Sequence, residues 1–121
     1  MHRVLLIEDE VMIGLMAETM LLDMGNWVIG PISRLDPAVA AARRVSADCA
    51  VLDINIAGES IYPVADILAE RGIPFVFATA YSSIAADGPF GDRPVVQKPY
   101  LPKELQAAID AAVREGSMRH R

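Results

Sequence analysis

The sequence predicts an α/β fold, a doubly wound parallel sheet built from five strand-helix repeats. Three observations predict it. Five short apolar runs lack period-two alternation, as strands buried on both faces do. Helical patterns separate them, which is the signature of parallel crossovers. Polar residues able to carry chemistry follow four of the five runs directly.

The first run, Val4-Leu5-Leu6-Ile7, ends in Glu8-Asp9-Glu10. Ile13, Met16, Ala17, Met20, Leu21 and Met24 then recur at the spacing of an amphipathic helix, and Gly25 is its C-terminal stop. Trp27-Val28-Ile29 is a short second strand closed by Gly30-Pro31. Asp36-Pro37 predicts an N-cap with proline at the first helical position, opening a helix to about Val45. Its apolar face is mostly alanine, so it should lie close to the sheet. Cys49-Ala50-Val51-Leu52 reads as a buried third strand and ends abruptly in Asp53. A polar loop from Asn55 to Ser60 leads to Tyr62-Pro63, which opens a third helix with Val64, Ile67 and Leu68 inward and Arg71-Gly72 as its exit.

Pro74 to Ala78 is the fourth strand, ending at Thr79. Gly88, Pro89, Gly91 and Pro94 make the following crossover irregular, so the fourth helix is short or irregular, confined to Ser82 to Asp87. Ala80 to Pro94 is therefore expected to be the most mobile internal segment. Val95-Val96-Gln97 is a short fifth strand ended by Lys98-Pro99, and Pro102-Lys103-Glu104 starts a last helix with Leu105, Ile109, Ala112 and Val113 inward.

Composition narrows the function. The 121 residues, 53% hydrophobic, suit one domain with a real core. A net charge of -5 argues against a nucleic-acid surface, which needs a basic stripe. Arg114, Arg119 and Arg121 form the one basic cluster, placed in a tail. No apolar run approaches the ~18 residues of a membrane span and no basic segment precedes an apolar N-terminal stretch, so a cytoplasmic location is expected. The lone Cys49 reads as a core thiol, and His2 and His120 as solvated terminal residues.

In an open parallel sheet, ligands bind outside the strand C-termini. Glu8-Asp9, Asp53, Thr79 and Lys98 all stand there. Singly, each has a bland explanation as a turn residue, a helix cap or a solvated charge. Together they supply a carboxylate nucleophile, acids for a cation, a hydroxyl and an ammonium, which are the parts of a phosphoryl-transfer site. Two like charges ~4 Å apart repel by roughly 4 kcal/mol at an effective dielectric of ~20, so the acids need protons or a cation. Mg²⁺, a hard oxygen-seeking ion, suits them.

This ordered set resembles the receiver domain of two-component response regulators, over about Arg3 to Glu115. Glu8 and Asp9 match its metal-binding acidic pair, Asp53 its phosphoacceptor, Thr79 its switch hydroxyl, and Lys98-Pro99 its lysine with the following cis peptide. The resemblance implies a flavodoxin-like sheet in the order 2-1-3-4-5 and Mg²⁺ held by Glu8 or Asp9, Asp53 and the backbone carbonyl of Asn55. It also implies phosphoryl transfer from a sensor histidine kinase or histidine phosphotransfer protein. Phe77-Ala78-Thr79-Ala80-Tyr81 is similar to the Phe-Ala-Thr-Gly-Tyr signature of some stand-alone receivers, with Ala80 in the glycine's place.

Two departures stand out. Val95 occupies the position of the usual aromatic switch, leaving Tyr81 as a substitute, and Ile56-Ala57 replaces the familiar Met-Pro pair. The expected organisation is a receiver at 1–115 and a flexible basic tail at 116–121, with a homodimer left open. The expected role is a stand-alone phosphoacceptor that catalyses only its own phosphorylation and dephosphorylation. Alternatives are a small Mg²⁺-dependent phosphatase-like enzyme using Asp53 as nucleophile, which the absence of a cap domain disfavours, and a phosphorylation-independent interaction module, which the complete site disfavours.

The first helix is more apolar than its inward stripe requires. Val11, Leu15 and Leu22 fall within roughly 40° of one another on the opposite side at 100° per residue. Scattered surface apolar residues are common. A stripe beside the phosphorylation site would also suit a docking phosphodonor, and exposure of these three residues is the expectation to check.

Overall fold

The computed structural model describes residues 1–80 and 90–119, with side chains through Ser117. Five parallel strands form one sheet: β1 (Arg3–Ile7), β2 (Trp27–Ile32), β3 (Cys49–Asp53), β6 (Phe75–Thr79) and β7 (Val95–Gln97). Their order is β2-β1-β3-β6-β7, the expected 2-1-3-4-5 arrangement of a flavodoxin-like α/β fold. Between β3 and β6, β4 (Asn55–Ile56) and β5 (Glu59–Ser60) pair antiparallel as a small ribbon in the predicted loop. The helices among the described residues are α1 (Val11–Asp23), α2 (Leu35–Arg44), α3 (Tyr62–Glu70) and α4 (Pro102–Arg119).

Alternate residues of each strand point to opposite faces. Leu5, Ile7, Leu52, Phe75 and Phe77 therefore pack with Ala38 and Ala42 of α2 and Val64 and Leu68 of α3. Val4, Leu6, Val51 and Val76 pack with Ala17 and Leu21 of α1 and Leu105 and Ile109 of α4. Both faces are covered, which is why the strands read as unbroken apolar runs. Cys49 is buried as expected, and burial pushes its thiol pKa up to about 12. Among the described residues, no helix is long and apolar enough to cross a membrane.

The structure corrects three local expectations and adds to a fourth. In α1 the buried residues are Gly14, Ala17 and Leu21, while Met16 is half-exposed. A Cβ at Gly14 would lie 3.1 Å from the Pro31 Cβ, so the helix approaches β2 through a glycine that an apolar count ignores. Strand β2 does not stop at Ile29: it runs through Gly30-Pro31 to Ile32, with a register shift opposite Leu5 to Ile7. Gly30 has φ +108°, and a Cβ there would sit 2.6 Å from the Leu6 carbonyl oxygen, so only glycine carries the strand through.

Helix α2 begins before Asp36, with Arg34 as its N-cap residue. Asp36 and Pro37 both lie in the first turn, where a missing N–H costs nothing and an acid favours the helix dipole. Finally, α4 continues to Arg119, so the helix takes in 116–119 of the segment expected to be a tail. Gly116 is buried there, and a Cβ would meet the Pro74 ring at 2.8 Å, so that turn is packed against the start of β6.

The expected fourth helix, Tyr81 and most of the segment expected to be mobile lie outside the described residues. Phe90, just after them, stacks edge-on against Phe75 with ring centroids 5.3 Å apart. The Arg93 guanidinium lies 4.4 Å from the Phe75 ring centroid.

Candidate functional site

Parallel register brings the ends of β1, β3, β6 and β7 to one edge. Ile7 pairs with Leu52, Asp53 with Ala78 and Thr79 with Gln97, so Glu8, Asp53, Thr79 and Lys98 leave the sheet together. Asp53, Thr79 and Lys98 line a cleft of about 630 Å³ together with Asp9, Glu10, Asn55, Gly58 and Ser60. Asp53 and Thr79 are almost fully buried.

Lys98 joins the acids. Its Nζ donates to Asp53 Oδ2 at 3.1 Å and lies 3.3 Å from both oxygens of Glu8. Its backbone N–H donates to the Thr79 carbonyl at 3.0 Å, and the Lys98-Pro99 bond is cis, as the resemblance implied. Burial alone would lower the ammonium's pKa, but hydrogen bonding to Asp53 and the charges of Asp53 and Glu8 hold it above the ordinary lysine value.

The two aspartates diverge. Burial, hydrogen bonds with Glu8 and Asp9 and the Glu8 charge raise the Asp53 pKa to about 8, against the opposing pull of Lys98. Burial also acts to raise Asp9, yet hydrogen bonds with Asp53, the Ala57 N–H and Glu8, with the Lys98 charge, hold it below the usual carboxylate value. The Ala57 N–H donates to Asp9 Oδ2 at 2.9 Å. The crowding thus disfavours a second negative charge on Asp53 while Asp9 keeps its own.

That crowding of carboxylates is the test for a metal. Ligand oxygens of Glu8, Asp9 and Glu10 lie within 4.8 Å of one another, and the donors are all oxygen. A divalent cation would relieve the repulsion, so the residues fit a hard ion such as Mg²⁺. Glu8 nevertheless faces inward, 1% exposed and absent from the cleft lining. Asn55 lines the cleft, and its side-chain oxygen is taken by the Gly58 N–H at 2.9 Å.

Sequence reading missed two participants. Ala57 stands where the resemblance led us to expect a proline, which has no N–H to give Asp9, so that departure was the available signal. Tyr100 is buried and donates its hydroxyl to Glu8 Oε1 at 3.2 Å. An aromatic right after Lys98-Pro99 was visible, but its partner lies 92 residues away. Val95, in the usual aromatic-switch position, is half-buried against the β3 and β6 side chains.

No protein-family model matches the chain. The solution structure of SdrG from Sphingomonas melonis Fr1 is 39% identical, covering 93% of this chain and 95% of that one, with a TM-score of 0.81. The response regulator PhyR from Brucella abortus is 30% identical over 98% of this chain and 50% of its own, with a TM-score of 0.81. The receiver domain of the sensor histidine kinase PA1611 from Pseudomonas aeruginosa PAO1, solved with a magnesium ion in its active-site cleft, shares the fold at 21% identity and a TM-score of 0.80. Among curated proteins, the DNA-binding response regulator MtrA of Mycolicibacterium smegmatis is 30% identical over 119 residues. The chain spans about half the length of the curated relatives it matches.

Proposed function

Because the chain belongs to the receiver domains of response regulators, we propose that Asp53 is its phosphoacceptor and that the cleft transfers a phosphoryl group from a phosphohistidine. The observation that carries the assignment is the position of Asp53: 4% exposed, at the cleft, with the Lys98 ammonium 3.1 Å from its Oδ2. An Asp53 carboxylate oxygen attacks phosphorus, the P–N bond to the donor imidazole breaks, and the imidazole leaves as the nitrogen takes a proton. Lys98 balances charge on the transferred group, and the Thr79 hydroxyl donates to one of its oxygens.

Asp9, Asp53 and the Asn55 carbonyl are the groups proposed to hold Mg²⁺, and Glu8 serves as the second anchor of Lys98. When bound, the ion supplies neutralisation of the phosphoryl oxygens. The donor is a sensor histidine kinase or histidine phosphotransfer protein. The chain is then an acceptor in signalling rather than an enzyme turning over a separate substrate.

Acetyl phosphate with Mg²⁺ tests this, since a small donor needs no docking. Mass spectrometry should find one acid-labile phosphoryl group on Asp53, and none in Asp53→Asn or in chelator. Stable labelling of Asp53→Asn on another residue would sink the assignment.

A further inference from the structure

Tyr100 sits at the inner end of a chain of contacts that reaches the phosphorylation site. It is 4% exposed, and its hydroxyl donates to Glu8 Oε1 at 3.2 Å. The Glu10 N–H donates to Glu8 Oε2 at 3.2 Å, and Lys98 Nζ lies 3.3 Å from both Glu8 oxygens. Lys98 in turn reaches Asp53 Oδ2 at 3.1 Å. Glu8 itself is buried behind the cleft lining and touches it through Lys98 and Glu10.

We propose that Tyr100 is a positioning residue for phosphoryl transfer: by fixing the Glu8 carboxylate it holds the Lys98 ammonium against Asp53. The inference rests on Asp53 being the phosphoacceptor. A lysine ammonium is a compact charge on a flexible four-carbon stem, so one partner alone leaves it free to swing. Glu8 supplies the second hydrogen-bond partner, with Glu10 Oε1 farther off at 3.9 Å, and that partner must itself be fixed. A phenylalanine at 100 would fill the same space against Val96 and Leu105; the hydroxyl adds only the bond to Glu8. Glu8 needs that donor, because a buried carboxylate with too few hydrogen bonds is unstable in place.

Tyr100→Phe in the full chain removes one oxygen. With Mg²⁺ and acetyl phosphate the variant should be phosphorylated about fivefold more slowly, the kinetic equivalent of one ordinary buried hydrogen bond, with Mg²⁺ affinity unchanged. The Lys98 ammonium signal in ¹⁵N NMR, sharp when both partners hold it, should broaden in the metal-free variant. In a Lys98→Ala background, Tyr100→Phe should slow the reaction no further, because its effect travels through the lysine.

A wild-type rate with only a lowered Tm would reduce Tyr100 to packing and overturn the proposal, as would equal slowing with and without Lys98. Glu8→Gln keeps an acceptor for Tyr100 but removes the lysine's counter-charge; it should slow transfer at least as much, and an unchanged rate overturns the proposal even where Tyr100→Phe does not fold. Failure of the wild-type chain to label at Asp53 overturns the phosphoacceptor reading itself, and this inference with it.

Discussion

The two ends of the one sheet are built on opposite principles. At the N-terminal end of the strands, polar groups meet complementary partners. Buried Asn26 donates to the Leu21 carbonyl at 3.1 Å and to Gln106 Oε1 at 2.9 Å, and accepts the His2 N–H at 3.1 Å. The Arg3 N–H donates to Asp48 Oδ2 at 2.7 Å, and His2 Nε2 lies 3.4 Å from Asp110 Oδ1. At the C-terminal end, Glu8, Asp9, Glu10 and Asp53 crowd one lysine. The first end is arranged for stability, whereas the second keeps like charges together, which only a function that uses them explains.

The largest stability effect should come from breaking the orderly end. Asn26→Ala removes three side-chain hydrogen bonds from a buried site, and we expect a loss of roughly 2 kcal/mol, about 5–10 °C in Tm. Labelling by acetyl phosphate below the new Tm should be unchanged, since the partners of Asn26, namely His2, Leu21 and Gln106, are not cleft residues. A slowed reaction in the folded variant would show that the two ends are coupled and that the contrast is false.

Breaking the crowded end should have the opposite sign. The Asp53 pKa is raised to about 8, against 3.8 for an ordinary aspartate. In that range the folded chain holds a proton that the unfolded chain has lost. The contribution is fully present below about 4 and disappears as pH rises through about 8. Asparagine stays neutral at any pH. Asp53→Asn should therefore raise Tm in metal-free buffer, on the ~1 kcal/mol scale of like-charge relief, more at pH 8.5 than at pH 5.5. A gain that shrinks toward alkaline pH would contradict the assignment of the repulsion to Asp53.

The contrast between the ends also marks what the sequence made legible. Strand runs such as Val51-Leu52 were plain because burial on both faces removes polar alternation, and the acids, Thr79 and Lys98 were plain because they interrupt those runs. Packing that depends on small residues was not. Gly14 sets the rotation of α1 through contact with Pro31, and Gly116 seats the last turn of α4 on Pro74, yet glycine adds nothing to an apolar stripe. Met16 was placed inward for that reason. Long-range polar pairing was equally silent: Tyr100 with Glu8 and Asn26 with Gln106 join residues 92 and 80 positions apart, and no local spacing encodes them.

The smallest expected stability change, and the most selective functional one, lies on α1, which adjoins the crowded end. Val11, Leu15 and Leu22 are 68%, 47% and 52% exposed, as their spacing predicted. Met12 and Met16 join Leu15 along a shallow groove that also takes in Thr19 and Met20. The exposed stripe begins beside the site in sequence, Val11 following Glu10, a cleft residue. A phosphodonor that grips this stripe would bring its histidine toward Asp53, whereas acetyl phosphate would not touch it. Leu15→Lys exchanges one exposed side chain for another, so stability should stay within about 0.5 kcal/mol. Labelling by acetyl phosphate should be unchanged, and transfer from a partner phosphohistidine should slow about tenfold, the loss of roughly 1.4 kcal/mol from the encounter. Equal slowing with both donors would place the effect in the cleft and not on the helix, and the α1 stripe would then be an ordinary apolar surface.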